Sequence, residues 1–179
     1  MTEITREPMH RRLIDLQGYL RSDGLWEVEA ELQDTKTYEI DLMERGRVPV
    51  GGFLHHMRFV LVVNESLEII DTRAEMLATP YPDCNGAQRQ YKELIGLRIR
   101  SGWLEEAKQV IGKQTGCTHL TELLPAMATA VIQTIRGYQI QQDREKKMAR
   151  KGKELMLNSC YGFRQGGRAQ IALWPDEEQ

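Results

Sequence analysis

The feature that most constrains the fold is an alternation of apolar and polar residues in two adjacent segments. Apolar residues and one glycine occupy every second position over residues 14–20 and again over residues 26–32, with Asp23 and Gly24 between the two runs. A period of two predicts strands that are buried on one side, and an Asp-Gly pair between such runs is typical of a hairpin turn. A β-hairpin is therefore predicted over residues 13–34.

A second hairpin is predicted over residues 56–76. Met57, Phe59, Leu61 and Val63 share one strand face, the sequence "NES" supplies a turn, and "LEIIDTRAEM" has the composition of a returning strand. Between the two hairpins, the stretch "ERGRVPVGG" contains a proline and three glycines without any period. That stretch is predicted to be a connecting loop.

The rest of the chain is predicted to be helical. The sequence "LATPYPDCNG" carries two prolines, which end the strand pairing and place Cys84 in a loop. Helical composition follows from about residue 86, ending in a long amphipathic segment from Thr118. Strands followed by helices predict an α+β fold, in which an antiparallel sheet of two hairpins carries helices on one face. A single domain over residues 1–179 is the expectation for this length.

The long segment has a clear buried stripe and one anomaly. Thr118 is predicted to be its N-cap, and Pro125 is expected to kink the helix or to move its start further along the chain. His119, Glu122 and Leu123 are predicted to lie outside the stripe. The stripe itself consists of Leu120, Leu124, Met127, Val131 and Ile135.

Composition argues against several classes of partner. The net charge is −2, and the one basic cluster, residues 144–153, is interleaved with acidic residues, so a solvated helix face explains it better than nucleic-acid binding. The chain has no apolar run of about 18 residues, and its start lacks a signal-peptide pattern. The expected location is cytoplasmic, with no membrane association, and the oligomeric state is left open.

Cysteine and histidine residues are the candidates for chemistry. Cys117 lies at the start of the long helix, where the helix dipole is expected to lower the pKa of its thiol, and His119 follows two residues later. His55 and His56 come just before the second hairpin, and only one of them can face a given pocket. Three widely spaced cysteines argue for reduced thiols rather than disulfides.

These residues predict a metal site assembled from separate segments. Thiolate and imidazole groups suit zinc and iron, and the predicted ligands are Cys84, Cys117, His55, His56 and His119. The start of the second hairpin, the loop after it and the start of the long helix are expected to meet at one end of the sheet. Cys160 could join the site if the C-terminal segment folds back. Asp34, within "DTKTYEID", could line a pocket, although a solvated turn explains it equally well.

Two family resemblances follow from these motifs. The run "HHMRFVLVVNESLEIIDTRAEMLATPYPDC", with the later "GCTHLTELLPAMATAVIQTI", resembles in layout the iron-sulfur scaffold proteins of the NifU/IscU type. That resemblance implies that Cys84 and Cys117 match the second and third cluster cysteines, whereas His55 and His56 stand where the first cysteine would be. Over nearly its whole length the chain more closely resembles an uncharacterised bacterial family marked by "DGLWEVEAELQDTK", "PYPDC" and "GCTHLTELL", which implies no particular reaction.

Three functional hypotheses remain open. The first is a metal-binding protein that uses zinc or iron. The second is a small enzyme acting on a carbonyl or acyl small-molecule substrate, with Cys117 and His119 as catalytic residues or with a catalytic metal. The third is a partner-binding protein in which the cysteines and histidines are structural. Hydrolase, zincin and nucleotide-binding motifs such as GxSxG, HExxH and GxGxxG do not occur.

Overall fold

The computed structural model describes residues 3–146 and 156–174. Tertiary contacts divide the chain into two compact units, Met1–Val131 and Ile132–Gln179, and one long helix contributes to both. Among the described residues, every helix is too short or too polar to span a lipid bilayer.

The first unit is built on a four-stranded antiparallel sheet with the strand order β1-β2-β5-β6. The six strands are β1 (His10–Leu20), β2 (Trp26–Lys36), β3 (Ile40–Leu42), β4 (Gly46–Val48), β5 (Phe53–Val63) and β6 (Ile69–Ala78). Both predicted hairpins are confirmed. At the first turn the Gly24 N–H donates to the Arg21 carbonyl at 3.1 Å, with Gly24 at a φ of +81°, which explains the glycine.

Two boundary predictions between the hairpins are wrong. The stretch predicted as a loop contains β4, which pairs with β3 in a separate two-stranded sheet because a tight turn brings Val48 opposite Ile40. Strand β5 begins at Phe53, so His55 and His56 lie within the strand rather than before it. Strand alternation therefore applies to the two histidines and sends their side chains to opposite faces of the sheet.

Helical structure after the sheet begins earlier than predicted. A 3₁₀ helix spans Pro82–Leu94, followed by α1 (Trp103–Ile111) and α2 (Thr118–Lys146). Cys84 consequently lies within the first turn of a helix and not in a loop. Pro82 permits this early start because the first residues of a helix need no N–H partner inside the helix.

One face of the sheet is covered by helices, as predicted. On that face, the ring of Phe59 lies 5.0 Å from the ring of Tyr91 in the 3₁₀ helix, in an edge-to-face arrangement. The buried apolar residues that β2 and β5 contribute to this face are Trp26, Val28, Ala30 and Leu32 of β2 and Met57, Phe59, Leu61 and Val63 of β5. The other face carries ion pairs between strands, such as that of Arg58 Nε with Glu29 Oε1 at 2.8 Å. The fold is thus α+β, with the core of the first unit between the sheet and the helices.

Helix α2 confirms the predicted stripe but departs from three details. All five stripe residues are buried, and Leu123 is buried as well because the helix is covered over a wider arc than a narrow stripe. Pro125 lies inside the helix and does not delay its start. The cap position belongs to Cys117 rather than Thr118, since the Cys117 carbonyl accepts the Thr121 N–H at 2.9 Å.

The second unit contains the remainder of α2 and a short C-terminal helix, α3 (Arg168–Leu173). Gln170 is buried, and its side-chain oxygen accepts the Gly166 N–H at 2.9 Å. Cys160 is exposed in this unit. The basic cluster lies outside the described residues except for the backbone of residues 144–146, so its predicted role as a solvated helix face stays a prediction.

Candidate metal centre

The centre of the site is Asp34, a buried carboxylate near the end of β2. Its side chain is 1% exposed, and its strand neighbours are Arg12 on β1 and His55 on β5. Arg12 binds it through two parallel hydrogen bonds, with Nε donating to Oδ1 and Nη2 to Oδ2, both at 2.8 Å. This paired geometry is the strong form of arginine–carboxylate contact. Asp34 is therefore held in one orientation by two neighbouring strands.

Asp34 remains ionised despite its burial. Burial raises the pKa of a carboxyl group, but the hydrogen bonds and charge of Arg12, together with the bond from His55, outweigh that effect and hold the pKa of Asp34 below its ordinary value. His10 Nε2 also lies 3.4 Å from Oδ1. Cationic and donor groups from two strands therefore maintain a negative charge in the floor of the site.

His55 is the first of the two cavity-lining histidines that lie near this carboxylate. Its Nδ1 lies 2.9 Å from Asp34 Oδ2, and because an ionised carboxylate only accepts hydrogen bonds, Nδ1 is the nitrogen that carries the proton. The Nε2 atom of neutral His55 is then left with a free lone pair. Burial, followed by the charge of His119, lowers the pKa of His55, so its imidazole is neutral at pH 7.

His119 lies beside His55 in the first turn of α2. The two ring centroids are 3.9 Å apart with the planes inclined at 33°. His119 Nε2 is 3.9 Å from Asp34 Oδ2, and its Nδ1 is 3.9 Å from Cys117 Sγ. Burial, followed by the charge of Arg12, lowers the pKa of His119. Asp34, His55 and His119 each offer a potential ligand atom, and these atoms all lie within 4.8 Å of one another.

The pKa expected for Cys117 is wrong in direction. Burial raises the pKa of its thiol, and the backbone N–H groups of His119 and Leu120 offset this only in part. Desolvation thus outweighs the effect of the helix terminus on which the sequence argument depended. Cys117 is therefore a protonated thiol at neutral pH, which disfavours it as a free nucleophile.

Four of the five predicted site residues line one cavity of about 840 Å³ in the first unit: His55, Cys84, Cys117 and His119. His56 does not line it. The side chain of His56 lies on the opposite face of the sheet, where Nε2 contacts Glu31 Oε1 and the contact lowers the pKa of Glu31. The cavity wall also includes polar residues from the 3₁₀ helix, among them Asp83, Arg89 and Glu93.

Sequence patterns alone do not identify two charged residues of the candidate site. Arg12 occupies an alternating strand position and carries no motif, and Asp34 was only a weak candidate for a pocket residue. The signal that joins them is strand register, because Arg12, Asp34 and His55 are direct neighbours on β1, β2 and β5. That register becomes visible only when the pairing of non-consecutive strands β2 and β5 is known.

Comparison with known proteins identifies a family for the chain, but that family has no known reaction. The family described as "Protein of unknown function (DUF2889)" matches residues 10–133, which include all the residues that form the site. No curated protein and no solved structure matches the chain. The layout resemblance to NifU/IscU-type scaffolds is therefore not supported by a structural neighbour.

Proposed function

We propose that this chain, which belongs to the family of proteins of unknown function DUF2889, binds one divalent metal ion, zinc or iron, in the cavity beside Asp34. The observation that carries the proposal is the cluster of Asp34, His55 and His119, whose potential ligand atoms lie within 4.8 Å of one another. Two neutral imidazoles held beside a buried carboxylate form a common arrangement around protein-bound metals, in which the carboxylate orients an imidazole that binds the ion.

The position of Cys117 supports a shared ion. Its sulfur is 3.9 Å from His119 Nδ1. Two such atoms bound to one tetrahedral zinc ion, at about 2.3 Å for sulfur and about 2.05 Å for nitrogen, would lie about 3.6 Å apart. The observed separation therefore needs only a small adjustment. Cys84, which lines the same cavity, would provide a fourth ligand.

We assign Asp34 an orienting role rather than direct coordination. Both of its oxygens already accept hydrogen bonds from Arg12, and Oδ2 also faces His55 Nδ1 at 2.9 Å. A metal ion on the same oxygens would have to displace the Arg12 guanidinium. In the orienting role, Asp34 holds His55 with Nε2 free and accepts a second contact from His119 Nε2, a common arrangement around protein-bound zinc.

The donor set favours zinc. Thiolate and imidazole ligands bind zinc well, whereas magnesium and calcium prefer oxygen ligands. Four protein ligands, Cys84, Cys117, His55 and His119, would make a closed structural site. Iron remains the other expected metal because the same ligands suit it.

A second candidate function is favoured by the cavity. Its volume of about 840 Å³ far exceeds the space of one ion and would admit a small molecule. If Cys84 is not a ligand, the ion keeps an open position for water or substrate, and the protein is a metal-dependent enzyme acting on a small carbonyl or acyl substrate.

The test is metal analysis of protein purified without chelator and without a histidine tag, combined with absorption spectra of the cobalt-substituted protein. We expect about one ion per chain, and thiolate-to-cobalt charge-transfer bands. An iron-sulfur cluster would instead show sulfur-to-iron bands. Wild-type protein that binds neither zinc nor iron with a micromolar or lower dissociation constant would overturn the proposal. The cysteines and histidines would then have a structural role.

Matched variants locate the ion. His55→Ala is expected to lose most bound metal, whereas His56→Ala, which changes the neighbouring histidine on the other face, should retain it. Cys117→Ser should weaken the charge-transfer bands, because only the Cys84 thiolate would remain on the ion, and Cys160→Ser should leave them unchanged. Cys84→Ser separates the two candidate functions, because loss of metal indicates a closed four-ligand site and retention indicates an open three-ligand site. Equal metal loss in His55→Ala and His56→Ala would contradict the assigned cavity.

A further inference from the structure

Tyr91 lies where all the segments with proposed ligands meet. It belongs to the 3₁₀ helix Pro82–Leu94, which also carries Cys84. Its ring packs against Phe59 of β5, the strand that carries His55, with the centroids 5.0 Å apart. Its backbone carbonyl accepts the Thr72 hydroxyl of β6 at 2.9 Å. A single residue with a fully buried side chain thus joins the sheet to the helices beside the cavity.

The hydroxyl of Tyr91 makes a double contact with Cys117. It donates to the Cys117 carbonyl at 2.7 Å and accepts the Cys117 backbone N–H at 3.0 Å. A third contact, 2.9 Å long, joins it to the Thr121 hydroxyl one turn into α2. Both backbone polar groups of Cys117 are therefore bound to a side chain from the segment that carries Cys84.

We propose that the Tyr91 hydroxyl is the positioning group of the metal centre, holding the backbone of Cys117 where its sulfur can share one ion with His119. This inference rests on the proposed metal-binding function. The two bonds fix the backbone of Cys117 on both sides of its Cα, which leaves its sulfur only rotation about χ1. Because His119 follows in the first turn of α2, the same contact also sets where the His119 ring lies against His55.

A purely structural role would look different. A hydroxyl that only stabilises the start of α2 would affect unfolding but leave the metal affinity of the folded protein unchanged. A positioning group changes the affinity and the geometry of the bound ion, and groups behind metal ligands typically contribute about 10- to 100-fold in affinity. Metal affinity and ligand-field spectra therefore distinguish the two roles.

The experiment compares Tyr91→Phe with Thr121→Val in the full chain. Tyr91→Phe keeps the ring that packs on Phe59 and removes only the hydroxyl, whereas Thr121→Val removes the third partner and leaves both contacts to Cys117. Zinc affinity is measured by competition with a chromogenic chelator at low temperature, after circular dichroism has verified folding. We expect Tyr91→Phe to weaken zinc binding about 10- to 100-fold and to alter the cobalt spectrum, and Thr121→Val to change affinity less than about threefold.

Unchanged affinity and an unchanged cobalt spectrum in folded Tyr91→Phe would overturn the positioning role while leaving metal binding intact. Wild-type protein that binds neither zinc nor iron with micromolar or tighter affinity would overturn the proposed function and this inference together, so the two failures are distinguishable. If Tyr91→Phe does not fold, site-specific replacement of Tyr91 by 4-fluorophenylalanine fills most of the space of the hydroxyl but removes its hydrogen bonds to the Cys117 carbonyl and N–H. A cobalt spectrum and zinc affinity insensitive to that replacement would also refute the inference.

Discussion

Removal of the Asp34 carboxylate should destabilise the metal-free protein by about 2–3 kcal/mol. In Asp34→Ala, His55, whose side chain is only 12% exposed, loses the acceptor of its Nδ1–H, and an unsatisfied buried donor costs about 1–3 kcal/mol. Arg12 loses two hydrogen bonds, but its side chain is 32% exposed and also contacts Glu122 at 3.0 Å, so water and Glu122 replace most of that loss. We assign about 1 kcal/mol to Arg12, and relief from burying the carboxylate offsets part of the sum.

The assay is urea unfolding followed by tryptophan fluorescence, with EDTA present so that metal binding does not contribute. The expected loss corresponds to a decrease in melting temperature of about 5–10 °C for a chain of this size. A double-mutant cycle with Arg12→Met should give a coupling energy of about 1 kcal/mol, since both variants remove the same ion pair.

The pH dependence tests the same reasoning. Because the folded state holds the pKa of Asp34 below its ordinary value, the carboxylate stabilises the fold above the unfolded-state pKa, and this contribution is lost as the pH falls through the folded-state pKa. The difference in stability between wild type and Asp34→Ala should therefore begin to shrink as the pH falls towards the ordinary aspartate pKa of about 4, and should continue to shrink below it. Stability within about 0.5 kcal/mol of wild type at pH 7, or a difference that grows on acidification, would refute the argument.

Two further predictions concern the segment before α2 and the protons of the site. Gly116→Ala should cost about 1–3 kcal/mol in the free energy of unfolding and weaken metal binding, because an added Cβ would lie 2.3 Å from the Cγ2 atom of buried Ile111. The control is Gly86→Ala in the same cavity wall, whose added Cβ meets nothing within 4 Å and which should be nearly neutral. Equal stabilities of the two variants in urea unfolding would contradict this prediction. Zinc binding at pH 7.5 should release about one proton or more per ion, because burial raises the pKa of Cys117 and leaves its thiol protonated. Proton release is measured by calorimetry in buffers of different ionisation enthalpy. A result of no release would exclude Cys117 as a ligand.

The sequence by itself determined the class of fold and the types of residue that line the candidate site. Periodicity of two, an Asp-Gly turn and a helical stripe are local signals that depend only on backbone geometry and on which side of an element is buried. They were sufficient for both hairpins, for the order of strands before helices and for the buried face of α2. The chemical character of cysteine and histidine was likewise sufficient to nominate Cys84, Cys117, His55 and His119, which line one cavity.

Local signals could not choose between His55 and His56. The choice depends on where β5 begins, since a start at Phe53 places both histidines within the strand and directs them to opposite faces. His55 shares its face with Met57 and the helices, while His56 contacts Glu31 on the charged face. Strand boundaries depend on pairing with neighbouring strands, which a single segment does not specify.

Only the tertiary structure decided the electrostatics of the site. Helix position alone suggested a lowered thiol pKa for Cys117, but burial beneath neighbouring segments dominates and raises it. Asp34 became the centre of the site because three strands place Arg12, Asp34 and His55 side by side. Desolvation and charge pairing depend on groups far apart in the chain, and for that reason they emerge only when the sheet and the helices have packed together.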